Sequence, residues 1–169
     1  MKYTKDITLI ALLTIILFLQ EQLLFFLPNI QLTVFFLVLY SKKLKFVDTL
    51  IITIIYVVLD SLTTNGFSFL FLPFMLVGWL IIPIFLNTLF KKVESNVLLA
   101  SLGILFAFIY SWINIIPGCI LFKMDPITYL VGDILWEVIL ASSSFITILL
   151  LYNPCAKVFD RYITKKGIS

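Results

Sequence analysis

No histidine occurs anywhere in the 169 residues. Without an imidazole, neither a Ser–His nor a Cys–His nucleophile pair can be assembled, and most zinc sites are excluded. Cysteine is nearly as scarce. Cys119 and Cys155 are the two present, at a spacing that matches no metal motif. Glycine is limited to six scattered positions, so the chain has no glycine-rich loop to cradle a phosphate. Neither Asp60 nor Asp133 sits in the full glycine-containing motif of intramembrane aspartyl enzymes. The expectation is a protein that is not an enzyme and carries no cofactor or metal.

Charge is the next shortage. Only 12% of residues are charged, against 62% hydrophobic, and the mean hydropathy is +1.17. A soluble domain carries roughly 25% charged residues because its surface faces water. Too few charges remain here to coat a folded sphere, so the apolar excess is expected to face lipid. Residues 1–169 are read as one domain. The apolar stretch after Lys2 and Lys5 continues to Leu27 with no small-residue cleavage site. It is therefore read as a membrane helix and not as a secretion signal.

Apolar runs occupy residues 7–27, 31–40, 46–59, 67–90, 97–116 and 127–152, separated by charged or turn-forming stretches. Hydrocarbon leaves helices or closed barrels as spanning structures. Long continuous runs select helices, since barrel strands alternate over about ten residues. The expected fold is an all-α membrane protein, a six-helix transmembrane bundle. The second run is the weak element: even counted from Pro28 it reaches about 20 Å, short of a hydrocarbon core of about 30 Å. It either dips partway or sits behind longer neighbours.

An N-in/C-in orientation places eleven of the twelve Lys and Arg residues on the cytoplasmic side, leaving Lys123 alone outside. This bias is what the positive-inside rule requires. It also puts Cys119 and Cys155 on opposite sides of the membrane, where they cannot pair. The localisation expected is a multi-pass protein of the bacterial cell membrane.

Polar residues inside apolar runs are costly and carry most of the functional information. Glu21 lies in the outer third of the first run, and Asn29 and Gln31 follow in the turn after it. Asp60 ends the third run. Trp112 and Asn114 lie near the outer end of the fifth, and Asp133, Trp136 and Glu137 near the outer end of the sixth. Residues four apart share a helix face, which aligns Asp133 with Glu137. The inner halves offer little polarity, whereas a channel needs a polar path across the whole membrane. A carboxylate-rich outer cup without cations favours a ligand with N–H donors or positive charge, and Trp79, Trp112 and Trp136 are available to stack on a flat ring. The same residues have a simpler reading. Glu21 and Asp60 also suit the water interface, and the tryptophans an interfacial belt.

The stretch Phe26-Leu27-Pro28-Asn29-Ile30-Gln31-Leu32, running on to Leu39-Tyr40-Ser41, resembles the first turn and second helix of S components of energy-coupling factor (ECF) transporters. So do Val131-Gly132-Asp133-Ile134 and Leu150-Leu151-Tyr152-Asn153-Pro154 in the last run. The resemblance implies a six-helix subunit that binds a vitamin or similar micronutrient in an outward-facing cavity. It further implies partners: a transmembrane coupling protein and two cytoplasmic ATPase subunits that power import. Docking on that module is expected along Thr4, Thr8 and Ala11 of the first helix, where small residues allow close approach. The nickel and cobalt versions use an N-terminal histidine, so its absence argues against metal import. The alternative is an MreD-like membrane scaffold of cell-wall elongation, which makes the Asp60 region a protein contact.

The topology makes its own prediction. Alkaline phosphatase fused after Lys123 is expected to be active in the periplasm, and fusions after Lys92 or Ser169 inactive. Activity of the Lys92 fusion overturns the assignment.

Overall fold

The computed structural model describes the backbone of residues 2–27, 29–64 and 69–165, and the side chains of 7–27, 29–63 and 69–161. All regular structure in these residues is helical: α1 (Lys2–Leu24), α2 (Thr33–Lys43), α3 (Phe46–Thr64), α4 (Leu72–Asn87), α5 (Asn96–Phe122) and α6 (Pro126–Lys165). Four of them, α1, α3, α5 and α6, contain stretches long and apolar enough to cross a membrane. The protein is membrane-embedded on that evidence. α4 is apolar but has 16 residues, and α2 has 11.

α2 organises the rest. Its residues Val34, Phe35, Leu37, Val38, Leu39 and Tyr40 are all essentially inaccessible, and it packs against every one of the other five helices. Those five form a partial ring around it, α1 on α3, α3 on α4, α4 on α5 and α5 on α6. The core is aliphatic and aromatic, with Ile52, Trp79, Ile82, Leu86, Leu99 and Phe106 closing on α2. A helix apolar on all sides belongs in such a position, which explains why its sequence reads as one unbroken apolar run.

Several helix limits differ from the expected ones, each for a local reason. α5 continues through Pro117 to Phe122, where a break was expected. Proline is tolerated in membrane helices because neighbours and local adjustments satisfy the carbonyl it frees. The helix ends at Lys123, which takes a left-handed conformation with φ 53°. Asp125 then starts α6: its carboxylate accepts the amides of Ile127 (3.1 Å) and Thr128 (3.0 Å), and Pro126 fills the first helical position, where no amide hydrogen is needed. Hydrogen bonds from the Thr128 side chain and amide hold the Asp125 carboxyl below its ordinary pKa. α6 runs past the expected end, through Pro154. α4 is shorter than the expected run at both ends, and residues 67 and 68 of that run lie outside the described residues. α4 also contains Pro83, whose own carbonyl accepts the Asn87 amide at 2.8 Å.

Both ends of α2 are tied down. At one end the Lys42 ammonium donates to the carbonyls of Phe90 (2.8 Å) and Lys91 (3.1 Å), and Lys43 pairs with Asp160 at 2.8 Å. At the other, the buried Gln20 side chain accepts the Leu32 amide (2.8 Å) and donates to the Thr33 hydroxyl (2.9 Å) and the Leu17 carbonyl (3.0 Å). Gln20 thereby clamps α1 to the start of α2. Gln20→Leu strands the Leu32 amide and removes one donor to the Thr33 oxygen, at roughly 1–3 kcal/mol for a buried unsatisfied group. A lowered melting midpoint in detergent is expected; an unchanged one removes the clamp from the account.

Candidate functional site

At the end of α2 remote from Lys42 and Lys43, a cavity of about 330 Å³ opens to the surface. Five structural units supply its wall. The end of α1 and the following turn contribute Glu21, Asn29 and Gln31, and α3 contributes Asp60. The α4 segment contributes Phe71 and Met75, α5 Tyr110, Ser111 and Asn114, and α6 Asp133 and Leu140. The turn is made possible by Asn29 at φ 57°, a left-handed conformation that asparagine accepts more readily than most residues.

A hydrogen-bonded chain fixes the deep side of the cavity. Tyr56 on α3 donates its hydroxyl hydrogen to Glu21 Oε2. With that hydrogen committed, the single Thr33 hydroxyl hydrogen is shared in alternation between the Tyr56 oxygen at 3.3 Å and Gln31 Oε1 at 3.2 Å. Gln20 donates to the same Thr33 oxygen. The chain Gln20–Thr33–Tyr56–Glu21 thus joins three helices, and three of its four members are buried. A buried polar network of this kind ties together the helices it joins. Asp60 is buried one helical turn beyond Tyr56, close enough for its charge to act on Glu21. On the α4–α5 side Tyr110 stacks on Trp79, with ring centroids 3.8 Å apart and planes at 21°.

Of the residues singled out from the sequence, Glu21, Asn29, Gln31, Asp60, Asn114 and Asp133 surround this one cavity. Trp112 and Trp136 do not: they are 56% and 37% exposed on the outer face of α5 and α6, as in an interfacial belt. Trp79 is buried behind Tyr110. Glu137 is 0% exposed but is not on the cavity wall, although Asp133 and Leu140 on either side of it are. Neither Glu137 oxygen has a hydrogen-bond partner among the described residues, and the Trp112 indole lies beside it without completing one. Thr8 and Ala11 are exposed on α1; the Thr4 side chain lies outside the described residues.

Gln20 and Ser111 stand out in the sequence as polar residues near the outer ends of their runs, whereas Tyr56, Tyr110 and Thr33 are parts of the site that the sequence reading does not single out. The signal that could find some of them is periodicity. Tyr56 lies four residues before Asp60, and Tyr110 four before Asn114, so each pair shares a helix face.

Comparison with protein-family models, curated proteins and solved structures returns no match for this chain, so the reading of function rests on the arrangement described above.

Glu137 can be separated from the cavity by experiment. Removing a buried carboxyl that has no partner, while keeping its approximate volume, is neutral or stabilising. Glu137→Leu is expected to melt at the same temperature as the parent protein or higher. A large loss of stability would show that the carboxyl is paired.

Proposed function

We propose that this chain is the substrate-binding subunit of an ECF-type importer. In this reading it is a six-span bundle of the bacterial cytoplasmic membrane with both ends inside. It captures a vitamin- or micronutrient-sized molecule from outside and is neither an enzyme nor a channel. The observation that carries the reading is the cavity: polar, open at one end of the bundle, and stopped beneath by the buried length of α2. Ligand sites are concave, with a few placed polar groups among apolar walls, and Phe71, Met75 and Leu140 alternate here with the carboxylates and amides.

The remaining features fit the same role. Lys42, Lys43, Lys91 and Lys92 lie at the end opposite the cavity, with Lys123 at the other, a bias of the kind the positive-inside rule requires of a cytoplasmic face. The exposed Thr8 and Ala11 on α1 offer small side chains for close helix packing, which suits docking on a transmembrane coupling protein served by two ATPases. The α2 plug leaves no polar path for conduction. The MreD-like scaffold reading predicts protein contacts near Asp60 and no small ligand, and the cavity weighs against it.

Purification in mild detergent followed by mass spectrometry of released small molecules tests the proposal. Recovery of one vitamin-sized compound near equimolar ratio is the expected result. Empty protein that instead retains cell-wall elongation proteins overturns it in favour of the scaffold.

A further inference from the structure

Among the described residues the cavity wall carries three carboxylates, Glu21, Asp60 and Asp133, and no lysine or arginine. Among the described residues these acids do not converge into a cluster able to hold a metal ion. In surroundings of low dielectric, like charges within a few ångströms of one another raise the energy of the empty site. A guest that brings positive charge lowers it.

Ser111 supplies an observation independent of the acids. Serine and threonine in membrane helices commonly bond back to the carbonyl one turn earlier, and this chain follows the habit. Ser41 bonds to Leu37 at 2.6 Å, Thr53 to Thr49 at 2.8 Å, Ser144 to Leu140 at 2.7 Å and Thr14 to Ile10 at 2.8 Å. Ser111 is 8% exposed and lines the cavity, yet its hydroxyl forms no hydrogen bond among the described residues. Asn114, one turn along the same helix, donates to the Tyr110 carbonyl at 2.9 Å while its side-chain oxygen is left unpartnered. Buried polar groups are normally satisfied. Both residues line the same cavity wall.

We propose that the cavity selects a small organic cation, with a protonated or quaternary nitrogen held between Glu21 and Asp60 and a donor-bearing portion reaching Ser111 and Asn114. The inference rests on the capture reading and names the chemical class that the same site takes. Tyr56 occupies Glu21 Oε2 and leaves Oε1 for the guest. Phe71 and Tyr110 add aromatic walls, and aromatic faces attract cations. At about 330 Å³ the space lies at the small end of ligand cavities, which run from about 300 to 1,000 Å³. That excludes a macrocycle or a peptide.

The test uses the full chain in detergent, dialysed free of small molecules, with three probes that share a benzyl group and differ in charge: benzyltrimethylammonium, benzyl alcohol and phenylacetate. Benzyltrimethylammonium is expected to raise the melting temperature through linkage, with a Kd about tenfold or more below that of benzyl alcohol. Phenylacetate is expected to give no shift. Glu21→Gln and Asp60→Asn each remove the preference. Because Glu21→Gln disturbs the bond from Tyr56 and can impair folding, Asp133→Asn on the opposite wall provides a third variant outside that network, also expected to narrow the preference. Equal Kd values for cation and alcohol in the parent protein, or a preference for phenylacetate, overturn the inference. A protein that yields a co-purified compound yet shows no cation preference keeps the capture reading and loses this one.

Discussion

The structure depends on a helix too short for its surroundings. α2 has 11 residues, about 16 Å of rise, in a bundle whose longer helices suit a hydrocarbon layer of about 30 Å. Lys42 and Lys43 hold its C-terminal end against the α4–α5 turn and α6. The layer beyond its N-terminal end, about 14 Å deep, must then be filled by something other than α2. The turn after α1 and the cavity occupy that space. The cavity is thus a geometric consequence of one short element buried among long ones, and its polar lining follows from the need to satisfy an exposed helix start. Gln20 accepts the Leu32 amide for that reason, and Thr33 gathers the side chains that bring Glu21 and Tyr56 to the same place.

The same constraint separates the two ends of the molecule chemically. Toward the lysine end, Leu37, Val38, Ile52, Ile82, Leu86 and Leu99 pack around α2 with essentially no accessible surface. Close packing of that kind resists insertion of water or solute. Toward the other end, carboxylates, amides and hydroxyls share the wall with aromatic and aliphatic groups. A polar chamber above a sealed apolar floor is suited to holding a molecule and unsuited to conducting one.

Much of this was legible in the sequence, and the parts that were not have identifiable causes. Apolar runs separated by charged or turn-forming stretches mark all six helices, although α4 is shorter than the run that announces it and α3 is longer. Helix ends were harder, because Pro117, Pro83 and Pro154 all sit inside helices, and proline loses much of its value as a stop signal in lipid. Glu21, Asp60 and Asp133 stand out against hydrocarbon wherever they point. Aromatic residues do not, because they serve equally in core, cavity wall and lipid belt. Trp112 follows Ser111 by one residue, a turn of about 100°, and that rotation carries it from the cavity side of α5 to its exposed face. Glu137 shares a helix side with Asp133, yet it is sealed beneath its neighbours while Asp133 reaches the cavity. Facing can be counted from a sequence, whereas the depth at which a neighbouring helix covers a side chain cannot.

A site that opens at one end and is sealed at the other sets a condition on delivery. A guest bound beside Glu21 and Asp60 has the whole of α2 between it and the lysine end, and α2 is held by contacts to all five remaining helices and by anchors at both termini. Drawing α2 aside to open a passage would break the Gln20 clamp, the Lys43–Asp160 pair and most of the core together. Moving the bundle as one body breaks none of them, because its outer surface is made of exposed apolar side chains on α1, α3, α5 and α6 that meet lipid in any orientation. For a capture subunit built this way, reorientation of the intact bundle against a partner leaves its internal packing undisturbed. Under the proposed capture role, the rigidity of the α2 core would keep the cavity intact during such a movement.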